Sequence, residues 1–157
     1  MAYRLHVWTQ EVFDSADDLA ERNKHRVRST AHLLFGIVDR GDRMSRMLEQ
    51  EYKTHLFDAE RLLRGMKFTA DHISPDYIDT DGYKQAIELA EELSHSSSIA
   101  AGGIHPEHLL AAILLVNDEH TQTFVRRFDL PVEEIIARLV KVPDELRVRV
   151  RAQAQAS

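Results

Sequence analysis

An all-α fold, with eight helices in two pseudo-symmetric four-helix repeats, is what this sequence predicts. Three observations lead there. Apolar residues recur at three- and four-residue spacing along most of the chain, and no β-branched run alternates cleanly before the extreme tail. The two halves match each other at a nearly constant offset. The length of 157 residues, with 43% hydrophobic and 29% charged content, suits one ordinary domain or two small repeats with a real core.

The elements follow in order. Trp8, Val12, Ala16, Leu19 and Ala20 form one stripe of a first helix. Ser29 or Thr30 can N-cap the helix beginning "AHLLFGIVDR", which Gly41 and Asp42 break. "DRMSRMLEQ" makes another short helix. Thr54 can cap "HLFDAERLLRGM", whose stripe is Leu56, Ala59, Leu62 and Leu63, with Gly65 at its stop. Residues 67–78, "KFTADHISPDYI", lack periodicity and contain Ser74-Pro75, so they read as a linker. Asp79 or Thr80 starts a helix with Ala86, Ile87, Leu89, Ala90 and Leu93 inward. "SHSSSIAAGG" is a small-residue loop, and Pro106 stands in the first turn of the next helix, where its missing N–H costs nothing. "DEHTQTFVRRF" is a short helix, and "DLPVEEIIARLVKV" restarts at Pro131. Pro143 closes the regular part, and the tail 143–157 is expected to be a flexible, frayed terminus or an edge strand.

Set side by side, the halves repeat. "SADDLA" at Ser15 answers "LAEELS" at Leu89, and "AHLLFGIV" at Ala31 answers "EHLLAAIL" at Glu107. Leu48 falls opposite Phe124, Leu56 opposite Val132 and Leu63 opposite Leu139. The offset is 74 in the first helices and 76 after them, so the second half carries two extra residues near Gly102-Gly103. Each half reads as four helices in the order long, short, short, long. The domain then spans 1–142, with repeat one at about 5–66 and repeat two at about 79–142.

Composition excludes several functions. There is no cysteine, which removes disulfides, thiolate metal sites and cysteine nucleophiles and fits a cytoplasmic protein. No apolar run approaches a membrane span, and "MAYRLHVWTQ" lacks a signal-peptide core. The net charge of −6 is uneven: residues 67–142 carry 6 basic and 13 acidic side chains. Nucleic acid is therefore not the expected partner, because phosphate binding needs concentrated Lys and Arg; a solvated surface or a basic ligand fits. No GxxxxGK[ST] phosphate loop is present, so the chain carries no ATPase motif.

The stretch "HPEH" invites a metal reading. His108, however, has a counterpart in His32, while His105 answers Ser29. A histidine recurring before Leu-Leu at a helix start points to a structural role, bonding nearby backbone. The spacing is not HExxH, and a third ligand is missing, so no metal or other cofactor is expected. His25, His55, His72, His95 and His120 read as scattered surface residues.

Two repeats opening "STAHLLFGIVDRGDRMSRMLEQ" and "HPEHLLAAILLVNDEHTQTFVRRF" resemble the Clp N-terminal repeat domain, found at the front of ClpA- and ClpC-type AAA+ unfoldases. The resemblance runs from about residue 5 to 142. It implies eight helices in two bundles, a monomer, and a docking module for adaptors or protein substrates, here free-standing and acting with a Clp unfoldase or in competition with it. In ClpC-like members the module also binds phosphorylated arginine, with the glutamate of each "GTEH" on the guanidinium. A carboxylate and a guanidinium make a charge-assisted, bidentate pair, so such contact is chemically sound. Carried over by position, Glu107 is the glutamate of repeat two and Thr30 the threonine of repeat one. Ala31 and Pro106 replace their partners, and Ser29 and His105 stand at the glycine positions. Ser29, Thr30, His105 and Glu107 are thus the candidate ligand-binding residues.

Other functions weigh less. A hydrolase would use His105, Glu107 and His108 as acid and base, but no nucleophile motif such as G-x-S-x-G accompanies them. A sequestering protein would hold a hydrophobic small molecule against Trp8, Phe13, Phe35 and Phe124, which at helical spacing also suit plain core packing.

Overall fold

The computed structural model describes residues 3–68, 77–96 and 102–156. Among them are nine helices: α1 (Val7–Arg22), α2 (Thr30–Arg40), α3 (Arg43–Tyr52), α4 (Leu56–Gly65), α5 (Asp81–Ser96), α6 (Pro106–Val116), α7 (Glu119–Phe128), α8 (Val132–Leu139) and α9 (Asp144–Ala156). The first four have 16, 11, 10 and 10 residues, and the next four have 16, 11, 10 and 8. The predicted all-α repeat is present, although the closing helix of each half is short rather than long.

Each repeat buries its second helix most deeply. Every residue of α2 from Thr30 to Val38 and of α6 from Pro106 to Leu114 is buried. α1 packs on α2 at Gly36, where a Cβ would lie 2.3 Å from the Val12 carbonyl oxygen. The counterpart in α6 is Ala112, so the α5–α6 pair leaves room for a methyl. In α5, Ala86, Ile87, Leu89, Ala90 and Leu93 turn inward as expected. In α1, Trp8 is only half-buried, and Thr9 completes the stripe, its hydroxyl donating to the Ile104 carbonyl at 2.6 Å. In α4, Ala59 and Leu63 enter the core while Leu56 is 38% exposed. Thr54 is buried and does not cap α4; His55 occupies the N-cap position. The buried apolar residues of both repeats form one continuous core. Burying a Leu, Ile or Phe side chain is worth about 1.5–3 kcal/mol, so this shared core outweighs any single polar contact at the seam.

The repeats are strapped to each other. β1 (Val27–Arg28) pairs in parallel with β2 (Ile78–Asp79), and Leu5 makes the matching parallel bridge to Ile104. These are the same contact twice: the entry segment of each repeat lies against the residues preceding the second helix of the other. Thr80 N–H donates to the Arg28 carbonyl and His6 N–H to the Ile104 carbonyl, both at 3.0 Å. The segments also cap alike. The Thr80 hydroxyl accepts the Tyr83 N–H, and His6 Nδ1 accepts the Trp8 N–H, both at 3.2 Å.

The tail corrects the sequence reading. Residues beyond Pro143 form helix α9 instead of a frayed terminus or strand. Leu146 and Val150 pack on the core, and Arg147 and Arg149 pair with Glu133 and Glu92. The apparent strand alternation of "LRVRV" hides a contact four residues apart, Leu146 with Val150, on one helical face. Most of the predicted linker, and residues 97–101 of the predicted small-residue loop, lie outside the described residues, whereas Ser94–Ser96 close α5. No helix of the described residues is long and apolar enough to cross a membrane.

Candidate functional site

The helix starts explain the recurring histidine. His32 and His108 are the third residues of α2 and α6, and each ring reaches back to the N-cap. His32 Nδ1 accepts the Ser29 N–H at 3.0 Å, and His108 Nδ1 accepts the His105 N–H at 2.9 Å. This is the reciprocal half of a capping box, a task usually given to Glu or Gln. An accepting Nδ1 leaves the proton on Nε2. The His32 Nε2–H then finds His25 Nδ1 at 2.9 Å, but His108 Nε2 is buried without a partner among the described residues. The residue 76 places after His25 is Ala101, which has no ring nitrogen to offer.

Burial therefore discourages charge on both rings. His32 is pushed down to about 3 by burial and by the neighbouring His25 and His120. His108 is pushed down to about 4 by burial and by His105. Both are neutral at physiological pH, and a neutral ring is what the cap requires.

The four candidate ligand residues all lie at the seam between the repeats, but at its two separate ends. Ser29 and Thr30 are fully buried, and the Thr30 hydroxyl donates to Asp118 Oδ1 at 2.6 Å. Asp118 also caps α7, accepting the Thr121 N–H at 2.9 Å. Burial alone would raise the Asp118 carboxyl, but the pull of His120 at 3.9 Å and the bonds from Thr30 and Thr121 hold it down to about 2. At the other end, His105 is 5% exposed, stacks on His6 with ring centroids 4.2 Å apart, and has no hydrogen-bond partner for either ring nitrogen among the described residues. The Glu107 side chain is 9% exposed, and its Oε2 accepts a bond from Arg43 Nη2 at 3.2 Å.

The two ends are related by the internal repeat. In each, the start of a second helix meets the start of the other repeat's third helix: α2 against α7, and α6 against α3. Position by position, the chemistry is inverted. Glu107 answers Ala31, and Arg43 answers Glu119, whose side chain is 86% exposed. The α6–α3 end therefore holds a buried carboxylate covered by a guanidinium. The α2–α7 end has no carboxylate at the Ala31 position. At the same end of the seam a cleft of about 510 Å³ opens among Val27, Met66, Phe68, Thr80, Glu119 and His120.

Sequence reading missed two things here. Arg43 and Asp118 belong to the seam, though nothing in their local sequence marks them. His25 and His120 are not scattered: Phe68 sits against His25, His32 and His120 with ring centroids 4.7, 4.8 and 5.1 Å away. The seven-residue interval between His25 and His32 was the available signal. Of the aromatic residues weighed for small-molecule binding, Phe13, Phe35 and Phe124 are used in packing. Phe35 and Phe124 are at most 2% exposed, and Phe13 packs edge-on to Tyr83. For the acid–base reading, His108 Nδ1 is taken by the cap.

Fold and site together define a double-repeat helical domain whose polar groups gather where the repeats meet. The profile of the Clp repeat (R) N-terminal domain family matches residues 5–128, and the chain belongs to that family, whose domains are protein-interaction modules of Clp unfoldases. Two solved structures are similar in fold. One is the N-terminal domain of the caseinolytic protease associated chaperone ClpD from Arabidopsis thaliana, with 17% identity, TM-score 0.67, and coverage of 87% of this chain and 93% of that one. The other comes from structural investigations of a malarial protein secretion system, with 20% identity, TM-score 0.63, and coverage of 88% and 92%. No curated protein is significantly similar to the chain in sequence.

Proposed function

We propose that this protein is a non-enzymatic docking module that receives arginine-bearing protein segments or adaptors, delivering them to a Clp unfoldase or withholding them from it. One observation carries this reading: Glu107, a nearly buried carboxylate at the start of α6, already holds a guanidinium, that of Arg43. A carboxylate so placed is stabilised by the helix N-terminus and needs one cation to offset its burial. A ligand arginine, plain or phosphorylated, has the right group. The repeat-one end does not share this role, because Ala31 offers no carboxylate. The module therefore has a single arginine site where the family pattern has two.

Calorimetric titration of phosphoarginine into the wild type and into Glu107→Ala tests the reading. Saturable binding with a stoichiometry near one, lost in the variant, is the expected result. Absence of heat in both proteins would sink arginine recognition and turn attention to whole adaptor proteins.

A further inference from the structure

The two repeats finish one surface with opposite chemistry. In repeat one the Ser15 hydroxyl of α1 donates to Asp39 Oδ2 of α2 at 2.6 Å, and Arg40 pairs with that same carboxylate. The matching positions, 74 and 76 residues later, are Leu89 of α5 and Leu115 and Val116 of α6. An apolar patch thus stands where repeat one seals itself with polar groups, and it calls for a cover.

Helix α9 supplies that cover loosely. Leu146 and Val150 pack on the core, while Val148 is exposed. Arg147 and Arg149 pair with Glu133 and Glu92 at the surface. Past Val150 the helix offers only Ala and Gln side chains and one more arginine, and its seat is underfilled. A cleft of about 170 Å³ lies among Gln85, Glu88, Leu89 and Gln153, and one of about 490 Å³ among Gly82, Val116, Gln122 and Ala154. Glu88 makes no ion pair among the described residues. Residues 140–143 join α9 to α8 without helix, so α9 can lift off while α8 stays in place.

The seat fits a bulkier basic helix than the one it holds. Leu146, Val150 and Ala154 follow one another at four-residue spacing along one face. A large apolar side chain at the third of these positions would fill the wider cleft, and a further cation would reach Glu88. We propose that the α5–α6 face of repeat two is a docking groove for a basic amphipathic helix of a partner protein, and that α9 is a tethered placeholder which that helix displaces. The groove lies at the opposite end of α6 from Glu107, so it stands whether or not that residue binds arginine.

The probe is a fluorescent synthetic peptide of residues 143–157 carrying Ala154→Leu, titrated into the full chain and followed by anisotropy. Wild type is expected to bind it saturably. The double variant Leu146→Ser, Val150→Ser undocks α9 and is expected to bind about five-fold more tightly, because a placeholder lowers a competitor's apparent affinity by its own occupancy. Val116→Arg, which installs the repeat-one residue, is expected to lose binding. Glu92→Arg is expected to lose most of it and to regain it with a peptide that also carries Arg149→Glu. Far-UV circular dichroism confirms the fold of each variant. Equal affinity in wild type and the double variant, or binding indifferent to Val116→Arg and Glu92→Arg, overturns the proposal. So does the absence of binding to the double variant. A wild-type dimer in sedimentation that the double variant breaks would make a second copy the occupant and overturn it as well.

Discussion

Repeat one and repeat two place equivalent helices at equivalent positions and differ in how they finish their polar contacts. In repeat one the buried His32 ring is satisfied at both nitrogens, by the Ser29 backbone and by His25. In repeat two the His108 ring is satisfied at one nitrogen only among the described residues. Repeat one leaves Ala31 where repeat two puts Glu107. Repeat one ends α2 with Asp39 and Arg40, paired to each other and exposed enough to stay solvated, whereas repeat two ends α6 with Leu115 and Val116, which pack on the core beside α9. A duplicated architecture needs its apolar pattern in both copies, but the polar groups at the seam can differ between them.

The largest effect that probes this comparison is acid. The unfolded chain protonates its histidines near pH 6.5, while folded His32 and His108 resist to about 3 and about 4. Unfolding therefore takes up protons as the pH falls below about 6.5, and stability drops by on the order of 5 kcal/mol between pH 6.5 and 4. Denaturant melts across that range measure it. His32→Gln and His108→Gln keep an N3 acceptor for the cap, and each is expected to remove about half of the slope. Unchanged stability from pH 7 to 4 would contradict the assignment of both rings as buried and neutral.

The next effect is steric and sharpens the difference at the first helix crossing. Gly36→Ala places a methyl 2.3 Å from a backbone oxygen and is expected to cost about 1–3 kcal/mol. The reciprocal Ala112→Gly costs about 1–2 kcal/mol, from helix propensity and the loss of one buried methyl. Equal costs at the two sites in thermal melts would mean the α1–α2 and α5–α6 pairs are no different in closeness.

The smallest effect concerns the covering helix. No residue of α9 from Asp144 to Gln155 is fully buried, and Leu146 and Val150 are half-buried. Removing residues 144–157 is expected to leave the two repeats folded and to lower stability by about 1 kcal/mol, the scale of two partly buried side chains less the entropy of ordering the helix. Collapse of the fold on truncation would make α9 part of the domain rather than a cover on repeat two.

The fold was largely legible because its evidence is periodic. Stripes at three- and four-residue spacing, doubled at an offset of 74–76, locate α1 to α8 and both capping histidines. The tail was misread because two apolar residues in a basic segment satisfy an alternating and a helical pattern equally. Thr54 was misread as a cap because a hydroxyl before a helix is a cap only if the chain turns it toward the free N–H groups. At the site, Glu107 stands in a motif, whereas Arg43 and Asp118 are drawn to the seam by tertiary packing of one repeat on the other. Helical periodicity carries no information about that packing.

The paired straps also govern how the chain acquires its shape. Repeat one is complete in sequence by Met66, yet its entry segment at Leu5 is tied to Ile104, and its β1 strand to Ile78. During synthesis the first repeat's two straps cannot form until Ile78 and then Ile104 have left the ribosome. The straps thus couple the closing of each repeat to the presence of the other.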